Sequence, residues 1–401
     1  MNIPPAKPLP KSLAQPSSRQ VILPDDLIFE VLSFLTVNHL MRFRCVCKSW
    51  NSLISSPSFI KIHRNKSERN KQIIRIEGDT SRIVSKRLIV NYWPVRGLVE
   101  KPLITLVDEP YCGLKEEDSI IVVGCCNGLV CLLGYYKLEY WLYFYNPATR
   151  KVSDKLGSFT WTYGSNIAFG FDNSTDTYKV VHINKMSRDV KVFSLGDDIW
   201  RSIQSFPEFC LTPSDLQHYI DGVGVYFSST LNWLVIRNDI TYDKDSNYLN
   251  FKNYMIISLN LGTEKYTQLL PPQGSDEVLL NETSLCVLMD CLCFCYHYSY
   301  NGTANFYIWK MKNFGVEKSW SRFLKISHHN LQIFKTSYIS LLPLFYSENG
   351  DALILEIPVL RQLILYNWRT NKVERVITST KRKRWVFLNN YIESLVSTNG
   401  K

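Results

Sequence analysis

A strand–turn–strand unit recurs along most of this chain. Each copy has a run of β-branched and aromatic residues, a turn rich in Asn, Asp, Gly or Pro, and an aromatic residue or Val on the return strand. The copies are Leu142–Val152, Ala168–Val180, Val192–Trp200, Ile256–Tyr266, Phe306–Trp320 and Leu363–Val373. Most of their return strands lie roughly 50 residues apart, a period typical of propeller blades. We therefore predict a large all-β domain, arranged as a β-propeller-like array of antiparallel blades, with a β-sandwich as the alternative.

Short apolar segments between these copies are predicted to supply the inner strands. Two examples are Gly224–Phe227 with Leu231–Leu234, and Ser284–Leu288 with Cys291–Phe294. The 23 Tyr, 20 Phe and 10 Trp residues suit such a domain, because flat side chains pack well on a pleated surface. The last apolar run, Tyr391–Val396, is predicted to be a strand that closes the domain by pairing with an N-terminal strand.

The beginning of the chain has a helical period instead. Apolar residues recur at Leu27, Ile28, Val31, Leu32 and Leu35, and again at Leu40, Phe43, Val46, Cys47 and Trp50. Pro24 suits the first turn of a helix, and Asp25 and Asp26 favour the positive end of its dipole. Two or three short helices within about 40 residues bury little apolar area. We therefore expect part of their apolar surface to be an interface with another protein.

This helical segment resembles the F-box motif. The sequence LPDDLIFEVLSFL, followed by VNHLMRFRCVCKSWNSLI and SPSFIKIH, has the opening Leu-Pro, the spaced aliphatics and the closing Pro-x-Phe of that motif in order. The resemblance implies that the segment binds a Skp-type adaptor and, through it, a cullin. The residues expected to contact the adaptor are Leu23, Pro24, Leu27, Ile28, Val31, Leu35, Leu40, Phe43, Val46, Cys47 and Trp50. For Phe43, Val46 and Trp50, packing inside the helical module is an equal alternative.

A second resemblance covers about residues 127–396. The segments CCNGLVCL, YNPATRKV, FGFDNSTDTYKVV and YIESLV are similar to the plant-type F-box-associated domain. The paired glycines expected of kelch blades are missing, so the number of blades stays open. The expected organisation is a disordered leader (1–20), the F-box (21–63), a basic connector (64–72), the F-box-associated β-domain (73–396) and a tail (397–401).

The positive charge of the chain is concentrated near its beginning. Twelve Lys or Arg and three acidic residues lie between Arg42 and Arg87, an excess of nine within a net charge of +10. A nucleic-acid binder would carry its basic residues along its main domain, so we expect no nucleic-acid partner. Lys381, Arg382, Lys383 and Arg384 form a second basic run, which predicts either a nuclear-import signal or a solvated loop.

Secretory and membrane-spanning patterns are missing from the sequence. There is no signal-peptide pattern, and no apolar run approaches the ~18 residues of a membrane-spanning helix. We expect no membrane association and a location in the cytoplasm, the nucleus or both.

No residue pattern predicts catalysis. Cys291, Cys293 and Cys295 alternate along a predicted strand, but without CxxC spacing or a paired His they are assigned to the core. GxSxG, P-loop and HExxH motifs are missing. We therefore expect no catalytic residue, metal or cofactor.

The predicted function follows from both resemblances. It is a non-catalytic substrate-recognition subunit of a Skp-cullin-F-box ubiquitin ligase, which holds an unknown target protein for ubiquitination and degradation. One alternative is a Skp-binding scaffold outside any ligase. A less expected alternative is an enzyme with its active site in a propeller funnel.

Overall fold

The structure is a computed structural model. It describes residues 24–78, 88–100, 119–162, 164–211, 224–237, 251–273, 281–300, 303–333, 340–347, 350–358, 360, 362–376 and 384–399. Leu23, Lys381, Arg382 and Lys383 lie outside these ranges. In the ranges just given, no helix has the length and apolar character needed to cross a membrane.

Four helices form the N-terminal module. They are α1 (Asp25–Leu32), α2 (Val37–Phe43), α3 (Lys48–Ser55) and α4 (Pro57–Ser67). Local capping explains two of their starts: Cys47 Sγ accepts a hydrogen bond from Trp50 N, and Ser56 Oγ accepts one from Phe59 N. Pro57 occupies the first helical position of α4, where its missing N–H is no loss. Helix α4 continues into the segment expected to be a basic connector.

The rest of the described chain is almost entirely β-structure. The strands are β1 (Gln72–Gly78), β2 (Leu88–Pro94), β3 (Ser119–Cys126), β4 (Leu129–Tyr136), β5 (Glu139–Asn146), β6 (Lys151–Val152), β7 (Leu156–Thr160), β8 (Ser165–Asp172), β9 (Thr177–Asn184), β10 (Val190–Ser194), β11 (Trp200–Ile203), β12 (Phe209–Leu211), β13 (Val225–Phe227), β14 (Thr230–Arg237), β15 (Tyr254–Asn260), β16 (Tyr266–Leu269), β17 (Asn281–Leu288), β18 (Cys291–Tyr300), β19 (Thr303–Met311), β20 (Trp320–Ser327), β21 (Leu342–Tyr346), β22 (Ala352–Ile357), β23 (Gln362–Asn367), β24 (Lys372–Val376) and β25 (Arg384–Tyr391). A short helix, α5 (Val95–Glu100), follows β2, and two 3-10 turns cover Phe251–Asn253 and Glu317–Ser319.

These strands form the six blades of a β-propeller. Blade 1 contains β25, β1 and β2; blade 2, β3–β7; blade 3, β8–β11; blade 4, β12–β16; blade 5, β17–β20; and blade 6, β21–β24. In blade 4, β12 and β13 both pair along one edge of β14. The predicted array of antiparallel blades is confirmed and its blades number six, so the sandwich alternative is wrong.

The blades close into a ring through their innermost strands and their apolar faces. Strands β25, β3, β8, β13, β17 and β21 each contact the innermost strands of both neighbouring blades. An apolar cluster lies between each pair of neighbouring blades. Each interface has a buried residue that serves as an example. In order, from the interface of blades 1 and 2 to the interface of blades 6 and 1, these are Ile76, Phe144, Trp233, Phe294, Ile308 and Ile73. Packing between blades therefore replaces the two-layer core of a sandwich.

Blade 1 joins the two ends of the domain. Strand β1 pairs with β25, from Gln72 opposite Tyr391 to Gly78 opposite Arg384. The predicted pairing of the last strand with an N-terminal strand is thus confirmed, but its predicted bounds of Tyr391–Val396 are wrong. The strand ends at Tyr391, and the residues after it leave the sheet, with Leu395 packed against the helical module.

Candidate functional site

The outer face of α1 carries a stripe of exposed apolar side chains. Leu27 is 53% exposed, Val31 is 63% exposed and Phe34, just after the helix, is 53% exposed. Together with exposed Pro24 they recur every three or four residues, so they lie on one side of the helix. Leu32, on the other side, is buried in the module's core. We call Pro24, Leu27, Val31 and Phe34 the α1 stripe.

A second exposed patch lies at the connection between α2 and α3. Val46 is 61% exposed, and Cys47 beside it is exposed as well. Phe43 and Trp50 flank this connection and pack edge to face, with ring centroids 5.4 Å apart. The two rings hold α2 and α3 together, while Val46 stays available to a partner.

The predicted adaptor contacts therefore separate into three groups. Pro24, Leu27, Val31, Val46 and Cys47 are exposed, whereas Ile28, Leu35, Phe43 and Trp50 are partly buried against the module's core. Leu40 has no exposed surface, so it cannot touch a partner while the helices stay packed, and we remove it from the candidate surface. Leu23 lies outside the described residues.

Phe34 belongs to the surface although the sequence analysis missed it. Its position three residues after Val31 continues the stripe, a spacing that was readable from the sequence. Lys66 of α4 lies over its ring, with Nζ 3.9 Å from the centroid. Lys66 Nζ also donates to Glu30 Oε1 at 2.6 Å and to Ser33 Oγ at 2.7 Å, so it fixes the end of α1 against α4.

Histidine 63 is a structural residue of the module. It is fully buried in α4, and its Nε2 donates to the carbonyl oxygen of Leu35 at 2.8 Å. Burial lowers the pKa of His63, and the bond to Leu35 opposes that shift only in part. A neutral imidazole thus ties α4 to the turn that follows α1.

The motif FGFDNSTDTYKVV forms a charged link between blades 3 and 4. Lys179 Nζ donates to Leu261 O at 2.6 Å and lies 3.0 Å from Asp172 Oδ2 and 3.5 Å from Glu264 Oε1. Glu264 also pairs with Arg201. Burial alone raises the pKa of Asp172, but hydrogen bonds from Ser174, Thr175 and Lys179 hold it below its ordinary value. These charges are matched within the fold, which favours a structural role.

The cysteine run in β18 is part of the apolar interior. Cys293 and Cys295 are fully buried between blades 5 and 6, and Cys286 Sγ lies 3.7 Å from Cys295 Sγ. Burial raises the pKa of the Cys295 thiol, so this sulfur stays protonated. Among the residues that the structure describes, no group of three or more His, Cys, Asp or Glu side chains is placed to hold a metal ion.

Of the second basic run, only Arg384 lies within the described residues. Arg384 is the first residue of β25, and the three residues before it are outside the described ranges. A role in nuclear import stays a prediction.

Known families match both parts of the chain. An F-box domain matches residues 22–62, and an F-box associated beta propeller domain matches residues 79–398. An F-box/kelch-repeat protein of Arabidopsis thaliana is 30% identical over 321 residues, which cover 76% of this chain and 79% of that protein. A putative F-box protein of the same plant is 27% identical over 268 residues, which cover 64% of this chain and 52% of that protein.

Among solved structures, TolB from Acinetobacter baumannii aligns with a TM-score of 0.44 and 11% identity, over 84% of this chain and 73% of TolB. The two family matches and the Arabidopsis relatives show that this chain belongs to the plant F-box proteins that carry a C-terminal F-box-associated β-propeller domain.

Proposed function

We propose that the chain is the non-catalytic target-recognition subunit of a Skp-cullin-F-box ubiquitin ligase. The F-box binds a Skp-type adaptor and, through it, a cullin, and the propeller binds the protein to be ubiquitinated. The subunit acts in the cytoplasm, the nucleus or both. It contributes proximity: holding the acceptor lysine near the ubiquitin donor raises their effective concentration without chemistry by this chain.

The observation that carries this proposal is the α1 stripe. Leu395, from the residues after β25, packs on the core side of the F-box helices, in the cluster around Val37 and Phe59. The stripe lies on the opposite side of α1 and stays exposed. Burying a side chain such as Leu27 or Val31 against a partner contributes about 1.5 to 3 kcal/mol. Several such side chains offset the cost of association and favour a stable complex.

Target binding is assigned to the end of the propeller away from the F-box. Arg64 of α4 contacts Asp176, and Lys71, between α4 and β1, contacts Asp290; both acidic residues lie in turns that follow innermost strands. The turns between second and third strands lie at the other end, because neighbouring strands in a blade are antiparallel. Exposed Leu138 and Met186 lie in two such turns, of blades 2 and 3. These two exposed apolar side chains are the target contacts that we propose.

A binding and transfer experiment with a matched control tests the proposal. Val31→Asp should weaken binding to a plant Skp adaptor at least ~100-fold, about 2.7 kcal/mol, because it removes apolar burial and desolvates a charge. Ile199→Asp is the control: Ile199 is 65% exposed and lies in the turn between β10 and β11 of the propeller. Isothermal titration calorimetry with purified adaptor measures both affinities.

Ligase activity is measured by self-ubiquitination of the chain with cullin, RING subunit and ubiquitin-carrier enzymes. The wild type and Ile199→Asp should be modified, and Val31→Asp should not. Unchanged adaptor affinity in Val31→Asp would remove the stripe from the interface. Adaptor binding without any ubiquitin transfer would favour the scaffold alternative.

A further inference from the structure

The residues after β25 form a separate feature of the propeller, the C-terminal segment Ile392–Asn399. It has no strand pairing, and buried Asn146 at the end of β5 holds it. Asn146 Nδ2 donates to the carbonyl oxygens of Ser394 and Val396, both at 2.9 Å. Asn146 Oδ1 accepts bonds from the backbone of its own turn, at Ala148. One side chain therefore fixes both the turn of blade 2 and the segment.

A glycine lets the segment lie close to blade 2. Gly128, in the turn between β3 and β4, has a φ of +87°, which L side chains rarely adopt. A Cβ atom at this position would overlap the Cβ of Ser394. The preceding residue, Asn127, accepts a hydrogen bond from Tyr178 of blade 3 at 2.8 Å. Blades 2 and 3 thus form a rigid base for the segment.

The other side of the segment contacts the F-box. Glu393 Oε2 accepts a hydrogen bond from Val37 N at 3.3 Å, at the first residue of α2. Thr36 precedes that helix, but its hydroxyl bonds to His39 Nδ1 and does not cap the backbone. A carboxylate from the end of the propeller therefore supplies the cap that the local sequence does not, and its charge suits the positive end of a helix.

Leu395 completes the same contact. It is 9% exposed and belongs to the apolar core of the F-box, with Leu32, Leu40 and Ile54. Ala148, in the turn held by Asn146, packs against that core as well. The F-box core is thus completed by side chains that come from the propeller domain.

We propose that the C-terminal segment sets the orientation of the F-box on the propeller, with Glu393 and Leu395 as its positioning residues. The segment is bonded to blade 2 on one side and to α2 on the other, so it leaves the two modules little freedom to rotate. This inference rests on the proposed function for its consequence: a fixed orientation keeps the bound target at a constant distance from the ubiquitin donor.

The orientation is tested first without any ligase component. Spin labels are introduced as non-canonical amino acids at exposed Ser52 of α3 and exposed Lys318 of blade 5. The wild type and Ile199→Asp should give one narrow distance distribution in a double electron–electron resonance experiment. Leu395→Ala and Glu393→Ala should broaden it at least twofold, and Glu393→Gln should stay narrow because its amide oxygen can still accept from Val37.

A third variant acts from the propeller side. Asn146→Asp keeps the acceptor for the Ala148 backbone and loses both donors to the segment, so it should broaden the distribution as well. If Leu395→Ala, Glu393→Ala and Asn146→Asp all keep the narrow distribution, the segment does not set the orientation.

The consequence for ubiquitin transfer is measured separately. Adaptor affinity of the Leu395→Ala and Glu393→Ala variants should stay within about twofold of wild type, which also shows that the F-box is folded. Self-ubiquitination should slow about tenfold. Broadened distances with unchanged transfer would overturn the positioning role. Broadened distances in a chain that binds no adaptor would leave the structural coupling standing and overturn the proposed ligase function instead.

Discussion

Lys179 is a buried cation whose partners come from two blades. Its side chain is 7% exposed, and it faces Asp172 of blade 3 and Glu264, which follows β15 in blade 4. Removing one partner of a buried ion pair leaves an uncompensated charge, which costs more than the intact pair contributes. This asymmetry makes the Lys179 position intolerant to neutral substitution even though no chemistry occurs there.

The first stability prediction concerns this lysine. Lys179→Met should lower the free energy of unfolding by about 3 to 5 kcal/mol, because buried Asp172 loses its cation and Glu264 keeps only Arg201. The control Lys191→Met, at an exposed position in β10 of the same blade, should change it by less than about 0.5 kcal/mol. Urea unfolding followed by tryptophan fluorescence measures both. A loss below about 1 kcal/mol for Lys179→Met would mean that water or another group replaces the ammonium.

The limits of sequence reasoning at this scale are visible in α1 and α2. The helical period places Leu27 and Val31 on one face, and that face is exposed. The same period cannot decide whether Leu40 faces a partner or the core, because that depends on the packing around α2. The cap on Val37 comes from Glu393, 356 residues away, so no local pattern indicates it.

At the scale of elements, the repeat period located the blades well. The predicted return residues Trp200, Tyr266 and Trp320 are the first residues of β11, β16 and β20. Blade 1 was harder, because β25 comes from the opposite end of the domain to β1 and β2. The end of β25 was misplaced because the residues after it continue an apolar pattern, although Leu395 packs against the helices and Val396 against the cluster between blades 2 and 3.

The closure of the ring gives a prediction at this scale. Strand β1 lies between β2 and β25, so every backbone N–H of β1 points toward a paired strand. Ile74→Pro should destabilise the chain by more than about 3 kcal/mol, because losing a buried Ile side chain costs at least about 2 kcal/mol and an orphaned carbonyl adds about 1 to 3 kcal/mol. Ile74→Val, which keeps the ladder, should cost about 1 kcal/mol.

Thermal unfolding and limited proteolysis distinguish these two variants. Ile74→Pro should melt earlier and be cleaved in blade 1 first, because the two ends of the domain separate there. Equal melting temperatures for the two variants would show that the six interfaces between blades hold the ring without this ladder.

At the scale of the whole molecule, two kinds of contact connect the F-box and the propeller. Two ion pairs lie at this connection: Arg64 of α4 with Asp176 at 3.3 Å, and Lys71, between α4 and β1, with Asp290 at 3.4 Å. The acidic side chains are 57% and 88% exposed, so solvent screens both pairs. The buried contact of Leu395 has no such screening. Apolar packing should therefore dominate the connection, although the sequence places most of the excess positive charge near it.

The last prediction compares these two contributions directly. Lys71 and Asp290 make the simpler test, because Arg64 also lies over the Phe171 ring. A double-mutant cycle of Lys71→Met and Asp290→Asn should give a coupling energy below about 1 kcal/mol in thermal unfolding, as expected for an exposed pair. Burial of Leu395 contributes about 1.5 to 3 kcal/mol by comparison. In about 1 M NaCl, where the screening length is about 3 Å, the distance between the labels at positions 52 and 318 should therefore keep its narrow distribution. A distribution that broadens with salt alone would make the ion pairs, and not the C-terminal segment, the contacts that orient the F-box.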